Sequence, residues 1–104
     1  MAEHTYELIV CIVNAGFSQN VMEAARSAGA QGGTILRARG SANPEAEEFF
    51  NISIQSDKEV LMILVPKGIK DDVIKAIYKD CGLADEAKGI AFSLPVNHTT
   101  TIKE

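Results

Sequence analysis

The chain has 104 residues, of which 46% are hydrophobic and 23% charged, and we assign residues 1–104 to a single folded domain. Its net charge of −4 argues against general nucleic-acid binding, which needs a basic surface. No apolar run approaches the roughly 18 residues of a membrane span. No basic leader precedes the first apolar run, so we expect a cytoplasmic protein that is not embedded in a membrane.

The residues with reactive side chains do not form a catalytic or metal-binding pattern. Cys11 and Cys81 are predicted to be reduced, buried thiols. His4 and His98 lie near the two ends without ligand spacing, so we predict no metal site. No base accompanies either thiol, and we nominate no catalytic residue.

The first two elements are a strand and a helix. The strand, from Tyr6 to Val13, is apolar on both alternating faces from Leu8 onward, which indicates that both faces are covered. We assign Asn14-Ala15-Gly16 to a turn. The helix is predicted over Ser18–Ala28, with Ser18 as its N-cap and Gly29 as its C-terminal cap.

The next segment is a strand that leads into a polar loop. Thr34–Arg39 alternates between two faces, and Gly40–Pro44 breaks the strand. Arg37 is predicted to pair with Glu7 or Glu59 on a neighbouring strand. The chain after the loop can resume as a strand at residues 51–54.

A second interruption is predicted at Ser56–Lys58. The strand Glu59–Val65 follows, again apolar on both faces, and Pro66 ends it. Apolar residues at helical spacing predict a second helix over residues 69–81, with Tyr78 on its packed face. Ile90–Val96 is the last predicted strand, and residues 97–104 form a polar tail.

This order of elements predicts an α+β fold of the ferredoxin-like βαββαβ type. Its four-stranded antiparallel sheet would carry both helices on one face. Since the strands at 6–13 and 59–65 are apolar on both faces, the other face would expose a large apolar surface, which monomers avoid. We therefore expect a homo-oligomer that packs these sheet faces together.

Several short motifs follow one another along nearly the whole chain. They are Gly32-Gly33-Thr34, Arg39-Gly40, Leu64-Val65-Pro66, Ala87-Lys88-Gly89 and Phe92-Ser93-Leu94-Pro95-Val96. In this order and spacing the chain resembles the PII family of nitrogen-regulatory signalling proteins, as a PII-like relative with a shortened target-binding loop.

The resemblance implies a compact trimer without enzymatic activity. Members bind adenine nucleotides in the clefts between subunits. A loop between the second and third strands, here residues 41–51, docks on targets such as membrane transporters or metabolic enzymes. Ligand state is reported by a change in the conformation of this loop.

The resemblance also implies an effector site. Thr34, with Gly32 before it, falls near the adenine, and Leu64 where the strand backbone meets the adenine edge. Lys58 closes the target-binding loop, where the family binds phosphate or an oxo-acid. The full set of candidate effector-binding residues is Gly32, Gly33, Thr34, Arg39, Gly40, Ser41, Lys58, Leu64, Lys88 and Gly89.

Departures from the family pattern bear on the ligand. Ile90 replaces the family's lysine, and Lys88 lies one residue before Gly89. Residues 83–87 replace the glycine-rich part of the phosphate loop, Pro44 replaces a glutamine, and the tail lacks arginines. ATP with 2-oxoglutarate is therefore disfavoured, and a nucleoside monophosphate, a cyclic nucleotide or another small metabolite is favoured. No cofactor is required.

The 41–51 loop is the candidate partner-binding segment. It has no tyrosine, so the family's nucleotidylation switch is absent, and its acids would at most bind a cation weakly. Two adjacent aromatic residues follow the acids, and aromatic residues are typical interface anchors. The candidate residues are Asn43, Pro44, Glu45, Glu47, Glu48, Phe49 and Phe50.

Two other functions stay open. The chain could bind a partner constitutively without an effector. It could also be an enzyme or the regulatory domain of one, since ferredoxin-like domains host many activities.

Overall fold

The structure is a computed structural model that describes residues 5–41, 57–82 and 85–100. The predicted order of elements is confirmed, and the fold is ferredoxin-like. The strands are β1 (Tyr6–Asn14), β2 (Thr34–Arg39), β3 (Asp57–Pro66) and β4 (Ile90–Val96), and the α-helices are α1 (Ser18–Ser27) and α2 (Lys70–Cys81). A 3₁₀ turn, Lys67–Ile69, leads into α2. The strand predicted at residues 51–54 lies outside the described residues.

The four strands form one antiparallel sheet in the order β2-β3-β1-β4. In the register, Val10 of the central strand β1 lies between Met62 of β3 and Phe92 of β4. Arg37 lies opposite Glu59, as one of the two predicted pairings requires. The other pairing, with Glu7, is wrong because β3 separates β2 from β1.

The core lies between the sheet and the two helices, which pack against each other and against the strands. Both helices contribute an apolar stripe, and β1 and β3 contribute every second residue, as the period of two requires. The largest fully buried side chains are Ile9, Leu61, Ile63, Ile77, Val13, Val21, Val65, Val73, Cys11 and Cys81.

The opposite sheet face, which we call the open face, is apolar, and neither α1 nor α2 packs on it. By the register it comprises Leu8, Val10, Ile12, Leu36, Val60, Met62, Leu64, Ile90, Phe92 and Leu94. At its two outer strands Leu36 is 47% exposed, Phe92 43% and Leu94 48%. β1 and β3 are thus apolar on both faces, as the sequence predicts, and they form the centre of a continuous apolar surface on a single chain.

The start of α1 differs from the prediction. Ser18 is the first helical residue and not the N-cap, and Phe17 in the cap position contributes no side-chain hydrogen bond. Instead Oε1 of Glu59, on β3, accepts from the backbone N–H groups of Gly16 (3.0 Å) and Ser18 (3.3 Å). A carboxylate at this end satisfies unpaired donors and complements the helix dipole.

The end of α1 agrees with the prediction. Gly29 has a φ of 111°, in the left-handed region that glycine adopts without strain. Its N–H donates to the Arg26 carbonyl (3.0 Å), and the N–H of Ala30 donates to the Ala25 carbonyl (3.0 Å). These two bonds form a Schellman cap, which turns the chain toward β2.

Two further predictions are wrong. Asp57 and Lys58 are not a break before the strand but already belong to β3, where they pair with Arg39 and Ala38. Tyr78 does not pack on the core, because 77% of it is exposed. Its position on α2 turns it away from the buried stripe of Val73, Ile77 and Cys81.

The capping contact of Glu59 gives a stability prediction. Glu59→Ala removes the acceptor for two donors at the start of α1, and we expect it to lower the free energy of unfolding by about 1 kcal/mol. Urea denaturation measures the effect. Glu23→Ala, at an exposed position within the same helix, is the matched control and should change stability by less than about 0.5 kcal/mol. Equal effects of the two substitutions would contradict the capping role.

Candidate effector site

Lys58, at the start of β3, lies over the point where β2 ends. Its aliphatic stem covers Gly40, since a Cβ added at Gly40 would lie 3.1 Å from Cε of Lys58. Its ammonium Nζ donates a 2.6 Å hydrogen bond to Oδ1 of Asn14, the last residue of β1. Two predicted effector residues, Gly40 and Lys58, are thus in contact.

The turn at residues 85–89 lies beside Asn14. The Asn14 backbone N–H donates to the Ala87 carbonyl (2.8 Å), and its Nδ2 donates to the Glu86 carbonyl (3.0 Å). The 85–89 turn therefore sits at the same end of the sheet as Lys58. The structure brings three of the predicted elements together here: Gly40, Lys58 and the turn that holds Lys88 and Gly89.

The backbone donors of this turn are engaged within the protein. The N–H groups of Asp85, Lys88 and Gly89 donate to the carbonyls of Gly82 (3.0 Å), Asp85 (3.0 Å) and Cys81 (2.8 Å). The N–H of Glu86 donates to Oδ1 of Asp85 (2.6 Å). A phosphate group bound to these donors would have to displace the acceptors that already hold them.

A second group of predicted residues lies at the opposite end of β2. Gly33 packs tightly, because a Cβ there would lie 3.0 Å from both the Met62 carbonyl oxygen and Cγ1 of Ile63. Thr34 lies opposite Met62 on the open face. Leu64 lines a surface cavity of about 370 Å³ with Tyr6, Gly29, Ala30, Gln31 and Pro66.

The two groups do not meet within one chain. Thr34 and Arg39 are the two ends of β2, and a six-residue strand is about 17 Å long. Arg39 and Lys58 also project from opposite faces of the sheet. Lys58 pairs with Ala38, and Arg39 is the next residue of the same strand, so its side chain points the other way. Arg39 and Ser41 are exposed. The candidate partner-binding residues 43–50 lie outside the described residues.

Asn14 is a site residue that the sequence reading missed. The sequence predicts a turn at Asn14, but the residue belongs to β1, is 7% exposed, and joins Lys58 to the 85–89 turn. A polar residue at the end of an otherwise apolar strand is the signal that could have identified it. A buried amide must have hydrogen-bond partners, which places polar groups nearby.

Both cysteines are reduced and buried, as predicted. Burial, together with the neighbouring Cys81, raises the pKa of the Cys11 thiol from 9.0 to about 12. Burial also raises the pKa of Cys81, with smaller contributions from Asp80 and Asp85. Both thiols are therefore protonated and poorly nucleophilic at neutral pH. Among residues 5–41, 57–82 and 85–100, no group of three or more histidines, cysteines or acids could hold a metal ion.

The raised Cys11 pKa predicts a stability change at alkaline pH. The folded state favours the neutral thiol of Cys11. The stability that the protein gains from keeping this thiol neutral is fully present below pH 9 and is lost as pH rises toward about 12. The free energy of unfolding should fall by up to about 1.4 kcal/mol per pH unit from this group. Denaturation of the wild type and Cys11→Ala between pH 8 and 11 checks it. The variant should lose stability less steeply, and parallel curves would contradict the assignment.

The fold and the site together define a class, a ferredoxin-like α+β domain with a polar cluster at one end of its sheet. The sequence model of the family described as nitrogen regulatory protein P-II matches residues 6–104. The chain therefore belongs to the P-II family, whose members are regulatory signalling proteins. A search of curated proteins found no match.

Solved structures resemble the fold. A PII-like signaling protein from Thermus thermophilus superimposes with a TM-score of 0.67 at 17% identity, covering 92% of this chain and 90% of that one. Arabidopsis thaliana PII bound to citrate gives 0.67 at 23% identity, covering 90% and 77%. A Bacillus cereus protein related to NIF3 gives a TM-score of 0.71 at 15% identity, covering 94% of this chain and 27% of that one.

Among residues 5–41, 57–82 and 85–100, neither α1 nor α2 is a candidate for a membrane-spanning helix.

Proposed function

We propose that this protein is a trimeric, non-enzymatic regulator of the PII type. It senses a small effector in clefts between subunits and controls a partner protein, such as a membrane transporter or a metabolic enzyme, through residues 41–51. Nitrogen metabolism is the pathway that the family suggests.

The observation that carries the proposal is the division of the candidate effector residues between the two ends of β2. Thr34 and Leu64 lie at one end and Lys58, which pairs with Ala38, at the other. By strand length Lys58 is about 14 Å from Thr34 and about 20 Å from Leu64. In the proposed assembly, copies pack through their open faces so that the Lys58 end of one chain lies near the Thr34 end of its neighbour. The same contact would remove the apolar open face from water.

The hydrogen bonds of the 85–89 turn favour a ligand with little phosphate. Four of its backbone N–H groups already have acceptors in the protein, and Ile90 offers no charge where the family has a lysine. A nucleoside monophosphate or a cyclic nucleotide needs fewer of these donors than ATP. Lys58 supplies the charge for such a ligand, with Lys88 as a second candidate.

A thermal-shift screen of the purified protein tests the effector site. The ligands are ATP, ADP, AMP, cyclic AMP, 2-oxoglutarate and bicarbonate. A ligand that binds the folded state at 100 times its Kd stabilises it by about 2.7 kcal/mol, which gives a clear rise in Tm. We expect one mononucleotide to raise Tm, and Lys58→Ala and Thr34→Val each to reduce the rise.

The control for the screen is Lys75→Ala, which removes an exposed lysine of α2 and should keep the full shift. A nucleotide shift that is unchanged in both Lys58→Ala and Thr34→Val would place the ligand elsewhere. No shift with any of the six compounds would contradict the effector proposal.

A ligand-independent partner-binding protein is the second candidate. The observation that favours it is the same turn, because its backbone donors are satisfied without a ligand. Under this alternative the partner would bind equally well with and without nucleotides.

A further inference from the structure

Asn14 links two parts of the candidate site that are far apart in sequence. Its side-chain Oδ1 accepts from Nζ of Lys58 (2.6 Å), and its Nδ2 donates to the carbonyl of Glu86 (3.0 Å). We propose that Asn14 is a positioning residue that couples the ammonium of Lys58 to the 85–89 turn. The inference rests on the proposed function for its use in signalling, but the coupling itself needs no ligand.

The chemistry of the side chain explains why an amide serves here. Lys58 can only donate and the Glu86 carbonyl can only accept, so the residue between them must present both an acceptor and a donor. Aspartate could hold Lys58 but would offer no donor to Glu86. Leucine of similar size could bond to neither.

Burial makes the two hydrogen bonds of Asn14 interdependent. The residue is 7% exposed, and its backbone N–H and carbonyl are also engaged, with Ala87 (2.8 Å) and with the N–H of Phe17 (3.3 Å). The amide therefore has little water to replace a lost partner. If Lys58 turns toward an anion, Oδ1 of Asn14 loses its donor in a nearly water-free environment, and the amide must reorient or open to solvent.

Reorientation would release the turn. When Nδ2 moves, the Glu86 carbonyl loses its donor, and this turn carries Lys88 and Gly89 toward β4. The stem of Lys58 also covers Gly40, the residue directly before the 41–51 loop. A change in the position of Lys58 would thus act at two places. It acts on Gly40, directly before the partner-binding segment, and through Asn14 on the 85–89 turn.

Hydrogen exchange followed by NMR tests the coupling in the ligand-free protein. Lys58→Met keeps the stem and removes the ammonium. We expect the exchange of the Lys88 and Gly89 amides to accelerate by about 5-fold or more, and the side-chain amide resonance of Asn14 to shift. Lys75→Met, on the exposed side of α2, should do neither. Exchange at Ile9 and Cys11 of the core reports any global loss of stability.

The route through Asn14 is tested by combining substitutions. In Asn14→Leu the turn should already exchange fast, and adding Lys58→Met should have no further effect on it. If the leucine variant does not fold, Asn14→Asp, which keeps the size and the Lys58 contact but offers no donor to Glu86, should by itself accelerate exchange at the turn.

Two results would overturn the proposal. One is an effect of Lys58→Met that stays confined to residues 40 and 57–59. The other is an equal acceleration at the turn with and without Asn14. Since no nucleotide is present, a failed effector screen would contradict the proposed function and leave the coupling standing. A failed exchange experiment would do the reverse.

Discussion

Gly89→Ala is expected to destabilise the protein by about 3 kcal/mol or more. A Cβ at this position would overlap the carbonyl oxygen of Cys81 and would lie 3.1 Å from the carbonyl carbon of Cys81 and 3.1 Å from Cγ1 of Val13. None of these atoms is the free end of a flexible side chain. The backbone at the end of α2 must therefore move away from the start of β4, and the 2.8 Å hydrogen bond from the Gly89 N–H to Cys81 is lost.

Guanidinium denaturation of the wild type and of Gly89→Ala measures this effect as a fall in the transition midpoint of the variant. The matched control is Gly68→Ala, where an added Cβ meets nothing within 4 Å and the change should stay within about 0.5 kcal/mol. If Gly89→Ala were as mild as Gly68→Ala, the close contact between α2 and the turn would be wrong.

Phe92→Glu is expected to dissociate the proposed trimer into single chains. Phe92 lies opposite Val10 on the open face and is 43% exposed in one chain. A single chain therefore tolerates a carboxylate there, while a chain packed against a neighbour would have to bury it without a partner. The variant should therefore fold without assembling. Its far-ultraviolet circular dichroism should be native, and its mass should be that of a monomer.

Light scattering coupled to size exclusion checks the mass of the variant. Tyr78→Glu is the control, because Tyr78 is 77% exposed on α2, away from the open face. It should leave the assembly unchanged. An assembly that survives Phe92→Glu but not Tyr78→Glu would place the interface on the helices. The nucleotide shift, where present in the wild type, should disappear with the assembly.

The backbone topology could be predicted from sequence because its signals are local. The continuous apolar run at 60–65 and the helical spacing of apolar residues in 69–81 are each readable from a short stretch of sequence. The error at the start of α1 has a physical cause, since the capping oxygen belongs to Glu59, 41 residues from Ser18. A hydroxyl at the expected place is a local signal, and a carboxylate delivered by another strand is not.

The candidate site was harder to predict for the same reason. The resemblance to the family identified Gly40, Lys58 and Gly89, but nothing local shows that Lys58 and the turn meet at Asn14. That meeting depends on β1 lying beside β3 and on the turn closing against its end. The length of β2, which keeps the two groups of effector residues apart within a chain, likewise has meaning only in three dimensions.

The central claim is that the effector site is completed between copies of this chain, and the mass of the wild-type protein in solution tests it most directly. Light scattering during size exclusion should give three times the chain mass of 11.2 kDa over a wide range of concentrations. A monomer at every concentration would contradict the account, because Thr34 and Lys58 could then never contribute to one site.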